Sequence, residues 1–342
     1  MEGFVHFIQD VNTYTSGATS VVDSIQQWVW ENFLFVALIA AGLFLTIRTR
    51  AVQWRSLPEM LRVLTDPSGH EADGRKSISS FRAFTVSAAS RVGTGNIAGV
   101  AIAMAMGGPG AVFWMWLIAA VGGASAFAES LLGQLYKERG KDSYIGGPAY
   151  YMQRGLNARW LGLIFVGFIV LTYSFVFCAV QTNAIVEAGA NSFNISIEGT
   201  DGMGLRILVG VIITGLTAAI IFGGIRAISS VTEFLVPFMA VLYMVLGLLV
   251  VGLNIGEIPN VLLMIFEGAF GLREFVVGGT MGAVIGGMKR GMLSNEAGMG
   301  TAPNAGATAT ISHPAQQGYV QALGEYFDQL RVCSVTAFIV IL

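Results

Sequence analysis

The chain has 342 residues, of which 54% are hydrophobic and only 12% are charged, and its mean hydropathy is +0.67. Soluble domains carry about 25% charged residues, so this chain cannot cover a globule with polar surface. The composition excludes a soluble domain and predicts an all-α polytopic membrane protein. The net charge of −2 argues against a nucleic-acid partner. The two cysteines, Cys178 and Cys333, show no metal-ligand spacing and are interpreted as small apolar side chains.

Six apolar segments predict the first membrane spans, at about 33–47, 83–106, 111–135, 161–188, 205–223 and 231–253. The loops that follow the first and third spans hold seven and five basic residues, whereas 107–110 and 190–205 hold none. The positive-inside rule therefore places both basic loops in the cytoplasm and the N-terminus outside. Residues 254–271 are predicted to form a surface helix along the outer interface.

The seventh crossing must lie within 276–311, a segment too long and too glycine-rich for one straight span of about 20 residues. Its Lys289–Arg290 pair either faces outward against the charge rule or lines a polar cavity. Residues 313–330 are polar and are predicted to be cytoplasmic. An eighth span is predicted over 332–342, where it stops after half a bilayer. We therefore expect 1–342 to be a single transporter domain that is truncated at its C-terminus.

The second span contains the segment 93–100, in which Gly93 and Gly95 flank Thr94 and precede Asn96. Non-helical backbone is tolerated at membrane depth only where protein or a water-filled cavity surrounds it. The segment therefore predicts a helix that unwinds to present bare backbone and two short polar side chains. The alternative is close helix packing, because Gly95 and Gly99 also fit a small-xxx-small pattern.

A second run of small and polar residues, 294–306, predicts another interrupted helix. Pro303 removes a backbone donor, and Gly298 and Gly300 loosen the helix before it. Glu296 is an ionisable residue at membrane depth, which makes it a candidate functional residue. The alternative is a loop just outside the bilayer.

Four unbroken spans separate the two interrupted ones. This order matches a five-helix repeat whose first helix is broken, followed by an inverted copy. The sequence thus predicts a LeuT-type inverted-repeat helical bundle with one extra N-terminal helix.

Three segments carry a resemblance to a known family: 91–101, 107–116 and 294–303. Together they closely resemble the alanine/glycine:cation symporter family of the amino acid-polyamine-cation superfamily, and the resemblance covers nearly the whole chain. It implies a LeuT-type core that takes up alanine or glycine, generally with sodium.

The predicted substrate site combines the two breaks with the fourth span. Backbone N–H groups of 93–97 would bind the substrate carboxylate, and Gly95 would let the ligand approach. Gln181 is a candidate acceptor for the ammonium group, although an interhelical hydrogen bond would explain it equally well. The candidate substrate-binding residues are Gly93, Thr94, Gly95, Asn96, Ile97, Gln181, Gly298, Met299, Gly300 and Thr301.

Sodium takes oxygen ligands, which unwound carbonyls supply. The candidate cation ligands are Val92, Gly93, Asn96 and Thr301, and no cofactor other than this ion is expected. Proton coupling through Glu296 is the alternative. Arg91, Glu129 and Glu296 are candidate coupling or gating charges, with Arg91 paired to Glu296 or to Glu129.

Enzyme and channel functions are less well supported. His6, His70 and His313 fall outside the predicted spans, no nucleophile–base cluster lies within them, and no pore loop or charged ring is visible. The sequence therefore predicts a multi-pass carrier of the cell (inner) membrane that contacts lipid and has no evident obligatory protein partner.

Overall fold

The computed structural model describes residues 20–66, 78–140, 143–195, 199–272 and 279–342. Several residues used in the sequence argument lie outside these ranges, namely His6, His70, Arg75, Lys76 and Lys141. The described part is helical apart from one two-residue antiparallel hairpin, in which β1 (Glu138–Arg139) pairs with β2 (Tyr144–Ile145).

The helices follow one another with short connections. In chain order they are α1 (Ser20–Arg48), α2 (Val52–Arg55), α3 (Leu57–Leu64), α4 (Ser80–Arg91), α5 (Thr94–Gly107), α6 (Ala111–Leu135), α7 (Pro148–Gly155), α8 (Arg159–Phe193), α9 (Gly199–Ile221), α10 (Gly224–Leu253), α11 (Ile258–Ala269), α12 (Gly279–Asn295), α13 (Ala302–Ala307) and α14 (315–341). Turns of π-helix interrupt α1 at Trp30–Leu34, α8 at Thr172–Phe177 and α14 at Phe327–Cys333.

Five helices of the described part are long and apolar enough to cross a membrane: α1, α6, α8, α10 and the segment Gly202–Ile221 of α9. Each coincides with a predicted span, and the third span matches α6 at both ends. The structure therefore agrees with an all-α, multi-pass membrane protein. The predicted helix over 254–271 is also present as α11, and its placement along the outer interface stays a prediction.

The last 30 residues form one helix rather than the two separate segments predicted, because α14 runs continuously from 315 to 341. At 1.5 Å per residue this helix is about 40 Å long. It is not among the described helices that are apolar enough to cross a membrane, and the cytoplasmic position of 313–330 stays a prediction. The polar side chains of α14 recur every fourth residue and so share one face. That face is fully buried, and its members are Gln317, Gln321, Glu325 and Gln329.

Helix α6 is the centre of the bundle and packs against α1, α11, α12, α13 and α14. The largest apolar cluster joins Met115 of α6 to Val100 of α5, Ile265 of α11 and Cys333 of α14. Helix α11 is fixed to α6 by the Trp114 indole, whose Nε1 donates to the Ala269 carbonyl at 3.2 Å. The interrupted helices thus lie against one rigid element.

Helices α5 and α12 approach so closely that a side chain cannot fit between them at one position. A Cβ on Gly107 would lie 2.6 Å from both the Ala283 Cα and the Gly282 carbonyl oxygen, and backbone atoms cannot move aside cheaply. On the same helix, a Cβ on Gly99 would meet no atom closer than the Thr94 carbonyl at 3.8 Å.

We therefore expect Gly107→Ala to destabilise the protein by about 1–3 kcal/mol through overpacking. The matched variant Gly99→Ala should leave the unfolding temperature unchanged or slightly raised, since alanine favours helix over glycine. Thermal unfolding of both purified variants in detergent measures the difference. Equal midpoints for the two variants would contradict the close approach of α5 and α12.

Candidate functional site

The second span is interrupted between Arg91, where α4 ends, and Thr94, where α5 begins. Val92 (φ −76°, ψ 90°) and Gly93 (φ −153°, ψ −147°) are both non-helical. The interruption is shorter than the predicted Gly93–Asn96, because the Asn96 N–H already donates to the Gly93 carbonyl at 3.2 Å. Thr94 and Asn96 therefore belong to the first turn of α5, whose N-terminal end lies at the break.

The second interruption lies between α12 and α13, over residues 296–301. Three residues there have positive φ angles: Glu296 (55°), Gly298 (78°) and Gly300 (78°). Glycine adopts such angles without the steric penalty that other residues meet. Pro303 is the second residue of α13, in the first turn, where a missing N–H leaves no helical bond unmade. Glu296 is only 2% exposed, so its side chain is buried in the bundle. The position of this segment at membrane depth stays a prediction.

The two interrupted helices touch at Gly95. A Cβ at this position would lie 3.5 Å from the Ser294 Cα, which is ordinary van der Waals contact. The Ser294 hydroxyl also donates to the Asn96 side-chain oxygen at 3.0 Å. Gly93 therefore takes part in the break, whereas the packing alternative is not supported, because a Cβ would fit at both Gly95 and Gly99.

Asn96, a candidate cation ligand, is fully buried beneath this contact. Its backbone carbonyl accepts a hydrogen bond from the Thr336 hydroxyl of α14 at 2.8 Å. Sequence reasoning missed both Ser294 and Thr336 as neighbours of Asn96. Thr336 lies in an apolar stretch, and nothing in the sequence pattern distinguishes it.

Gln181 of α8 covers the first break. Its Oε1 accepts a hydrogen bond from the Thr94 N–H at 3.3 Å, and its Nε2 lies 2.5 Å from where a Cβ on Gly93 would be. The interhelical hydrogen bond considered for this residue is therefore present. A role for Gln181 in binding substrate stays a prediction.

A cavity of about 670 Å³ lies between the two breaks and α8. The predicted site residues that line it are Arg91, Thr94, Gly95, Gln181 and Glu296. Other polar residues of its wall were not predicted, namely Ser90, Asn183 and Glu187. Arg290 lines the same cavity, which favours the polar-cavity interpretation of the Lys289–Arg290 pair. Lys289 instead lies near the Trp30 ring, 5.7 Å from its centroid.

The remaining predicted residues do not line this cavity. Ile97 is 50% exposed, Gly298 is exposed, and Met299 is half-buried. Gly300 is buried, and a Cβ there would meet Pro148 and Phe165 within 3.0 Å. Val92, Gly93 and Asn96 lie beside or beneath the break. Thr301 lines a smaller cavity of about 310 Å³.

Glu296 connects the two interrupted helices. Its carboxylate accepts hydrogen bonds from the Ser90 hydroxyl at 3.0 and 3.1 Å and from the Thr301 hydroxyl at 2.6 Å. Ser90 belongs to α4, just before the first break, and Thr301 immediately precedes α13. One buried carboxylate therefore holds both helices, and it lies next to the larger cavity.

The predicted Arg91–Glu296 pair is wrong. The Arg91 Nη2 donates to the Ser87 Oγ and to the Gln321 Oε1, each at 2.8 Å. Its Nη1 lies 3.5 Å from the Glu325 Oε1 and 3.8 Å from the Asp328 Oδ2. The prediction failed because 313–330 was interpreted as a polar cytoplasmic segment rather than as a helix packed in the bundle, so its acids were not considered as partners.

Glu129, the alternative partner for Arg91, has another role. Its carboxylate accepts a hydrogen bond from the Gly298 N–H at 3.4 Å. A carboxylate on α6 therefore satisfies a backbone donor that the second break sets free. This arrangement explains an acidic residue on an otherwise apolar span.

Comparison with known proteins agrees with this architecture. A profile of the sodium:alanine symporter family matches residues 15–342. The chain is 47% identical over 323 residues to the amino-acid carrier protein AlsT of Bacillus subtilis, covering 94% of this chain and 66% of that protein. It is 45% identical over 321 residues to the probable sodium/glutamine symporter GlnT of the same organism, covering 94% and 65%. The sodium/alanine symporter AgcS of Methanococcus maripaludis is 37% identical over 330 residues, covering 94% and 70%.

The chain thus spans about two thirds of the length of the curated relatives it matches. A profile match over nearly all of the chain, together with these identities, identifies a family of transporters rather than of enzymes. The chain belongs to the sodium:alanine symporter family.

Proposed function

We propose that the protein is a secondary active symporter that imports small neutral amino acids, alanine or glycine, together with sodium. The observation that carries the proposal is the pair of interrupted helices that touch at Gly95 and border one polar cavity. Interrupted helices of secondary transporters form substrate and ion sites in this way, because the unwound backbone supplies donors and acceptors inside the membrane. The membership of the family agrees with this activity.

The end of α5 at the first break suits the carboxylate of an amino acid. The N-terminus of a helix carries a partial positive charge and N–H groups without helical partners. Thr94 and Gly95 line the cavity at this end, and Gln181 now accepts from the Thr94 N–H. We infer that the substrate carboxylate takes over this N–H while the Gln181 amide turns towards the substrate.

The substrate ammonium group needs acceptors, and the opposite wall of the cavity supplies them. They are the carboxylates of Glu187 on α8 and Glu296 in the second break, which both line the cavity. The other candidates from the sequence, Gly298, Met299, Gly300 and Thr301, do not line it. A zwitterion would therefore lie with its carboxylate towards the end of α5 and its ammonium group towards these two acids.

The sodium ion is proposed to bind beside the first break. Its oxygen ligands would be the Val92 carbonyl in the non-helical break, the Gly93 carbonyl and the side-chain oxygen of Asn96. In the structure the Gly93 carbonyl accepts from the Asn96 N–H, and the Asn96 oxygen accepts from Ser294. The Asn96 Nδ2 has no hydrogen-bond partner, although the side chain is fully buried. The Thr301 hydroxyl instead donates to Glu296. The predicted cation ligands therefore do not lie together, because Val92, Gly93 and Asn96 are at the first break and Thr301 is at the second.

Glutamine is a second candidate substrate, since a relative with 45% identity is named as a probable sodium/glutamine symporter. The cavity of about 670 Å³ has polar side chains beyond the two breaks, including Asn183 and Arg290. These groups could bind a longer polar side chain. Competition between radiolabelled alanine and unlabelled glutamine distinguishes the two substrates.

We place the protein in the cell membrane with its N-terminus outside, and we propose that the two repeats alternate access to the site. The basic loops assigned to the cytoplasm support this orientation. Accessibility of single cysteines introduced on each side of intact cells tests it.

The coupling ion is tested by uptake into liposomes that contain the full-length protein. Alanine uptake should rise with external sodium at constant pH, and Asn96→Ala should weaken that dependence because an oxygen ligand is lost. Glu296→Gln serves as the comparison and should keep its sodium dependence. Full uptake in sodium-free buffer with an inward proton gradient, abolished by Glu296→Gln, would instead establish proton coupling.

Substitutions at Gly95 test the approach of the substrate to the first break. Gly95→Val should abolish alanine binding, because its branched side chain extends into the space between Ser294 and the cavity. Gly95→Ala adds only an atom in ordinary contact and should keep the protein stable with weaker binding. Binding of labelled alanine to membranes, normalised to protein content, measures both. Normal affinity in the valine variant would refute this site.

Gln181→Ala should raise the half-saturation concentration for alanine by about tenfold or more, since a hydrogen bond to a charged group contributes about 1.5–3 kcal/mol. The control is Ile185→Ala on the same helix, because Ile185 is 50% exposed and does not line the cavity. Uptake is measured over a range of alanine concentrations at saturating sodium. If both variants resemble the unmodified protein, Gln181 has only its structural hydrogen bond to Thr94.

A further inference from the structure

Two fully buried carboxylates on α14 share a single positive charge. Glu325 and Asp328 are each 0% exposed. Within the described part of the chain, the only basic group within 4.0 Å of either is the Arg91 guanidinium, at 3.5 Å from the Glu325 Oε1 and 3.8 Å from the Asp328 Oδ2. Neither the proposed substrate site nor the proposed sodium site uses this pair.

Arg91 divides its donors among several partners. Its Nη2 bonds to Ser87 and Gln321, and its Nη1 lies too far from the acids for a short charge-assisted hydrogen bond. All four oxygens of Glu325 and Asp328 lack a hydrogen-bond donor among the described residues. Glu296 differs, because hydroxyl groups donate to both of its oxygens.

The charges around the pair do not balance. If both acids are ionised, two negative charges face one positive charge in a site without access to water, and an unpaired buried charge is strongly unfavourable. The other titratable groups that face the pair do not supply a positive charge. They are Glu129 of α6, Glu296 of the second break, and Tyr326 and Cys333 of α14 itself.

The missing positive charge fits a proton better than a metal ion. A metal ion between the acids would lie within a few ångströms of the Arg91 guanidinium, which repels it. In the part of the chain that the structure describes, no group of three or more histidine, cysteine, aspartate or glutamate side chains could hold a metal. A proton needs only one carboxylate oxygen and adds no volume.

Polar groups from a neighbouring helix converge on the same place. Asn295 of α12 is fully buried, and its Nδ2 has no hydrogen-bond partner. A Cβ on Gly122 of α6 would lie 3.4 Å from this Nδ2 and 4.0 Å from the Glu325 Oε2. The Asn295 amide and the Glu325 carboxylate therefore both lie beside Gly122, on the same face of α6. Gln329 follows one turn after Glu325, and neither atom of its amide is hydrogen-bonded.

We propose that Glu325 and Asp328 together hold one bound proton beside Arg91. The site lies at the end of α4, immediately before the break at Val92–Gly93, so the proton stabilises the backbone geometry there by completing the charge balance around Arg91. Arg91 also lines the proposed substrate cavity, but neither acid does, and the proposal does not depend on the proposed transport activity.

Infrared spectroscopy of the full-length protein in lipid, without substrate, tests the proposal. A protonated carboxyl group has a C=O stretching band that a carboxylate lacks. Asp328→Asn and Glu325→Gln each leave one acid opposite Arg91, so each should remove one carboxyl equivalent from this band. Glu296→Gln is the matched control and should retain it. Absence of the band in the unmodified protein, or its persistence in both single variants, overturns the proposal.

Stability provides a second measurement that does not use the band. In each single variant the remaining carboxylate balances the charge of the Arg91 guanidinium, so the variant should unfold near the temperature of the unmodified protein. The double variant leaves a buried guanidinium without an acid, and its midpoint should fall by more than the sum of the two single changes. Loss of the band on adding sodium at constant pH would show that a metal ion occupies the site instead, and would also overturn the proposal.

Discussion

The structure depends on how it satisfies backbone groups that two interrupted helices set free inside an apolar bundle. In hydrocarbon an N–H or C=O without a partner is strongly unfavourable, so side chains from intact helices must provide partners. Gln181 of α8 accepts from Thr94 at the first break. At the second break Asn295 accepts from the Ala297 N–H at 3.0 Å, and Glu129 of α6 accepts from Gly298. Polar residues on otherwise apolar helices follow from this requirement.

Helix α14 makes hydrogen bonds to both halves of the first interrupted helix. Gln321 accepts from Arg91, the last residue of α4, and Thr336 donates to the Asn96 carbonyl in α5. The helix therefore spans the break and holds the two halves in one relative position. A purely apolar α14 could not do this, because van der Waals contact gives no directional bond to a displaced carbonyl or a buried guanidinium.

The cavity lies where the two helices are interrupted and side-chain hydrogen bonds replace those of the helix. Glu296 accepts hydrogen bonds from Ser90 on one interrupted helix and from Thr301 beside the other. A displacement of either helix therefore changes the hydrogen bonds of the same carboxylate. A ligand that enters the cavity and binds the end of α5 competes with the Gln181 amide for the Thr94 N–H. Under the proposed function, substrate binding is thereby connected to the contacts that fix the interrupted helices.

The sequence by itself determined the membrane class, most of the spans and the two interruptions. Hydropathy and the positions of glycine and proline are local properties, and the backbone follows them directly at Gly93, Gly298 and Gly300. Only the tertiary structure decided which side chains meet. The polar residues of α14 indicated a cytoplasmic segment because sequence polarity does not distinguish water from a polar protein interior. That helix brings Glu325 and Asp328 to Arg91 and places Thr336 on Asn96, and such partners, more than 200 residues apart, follow from helix packing alone.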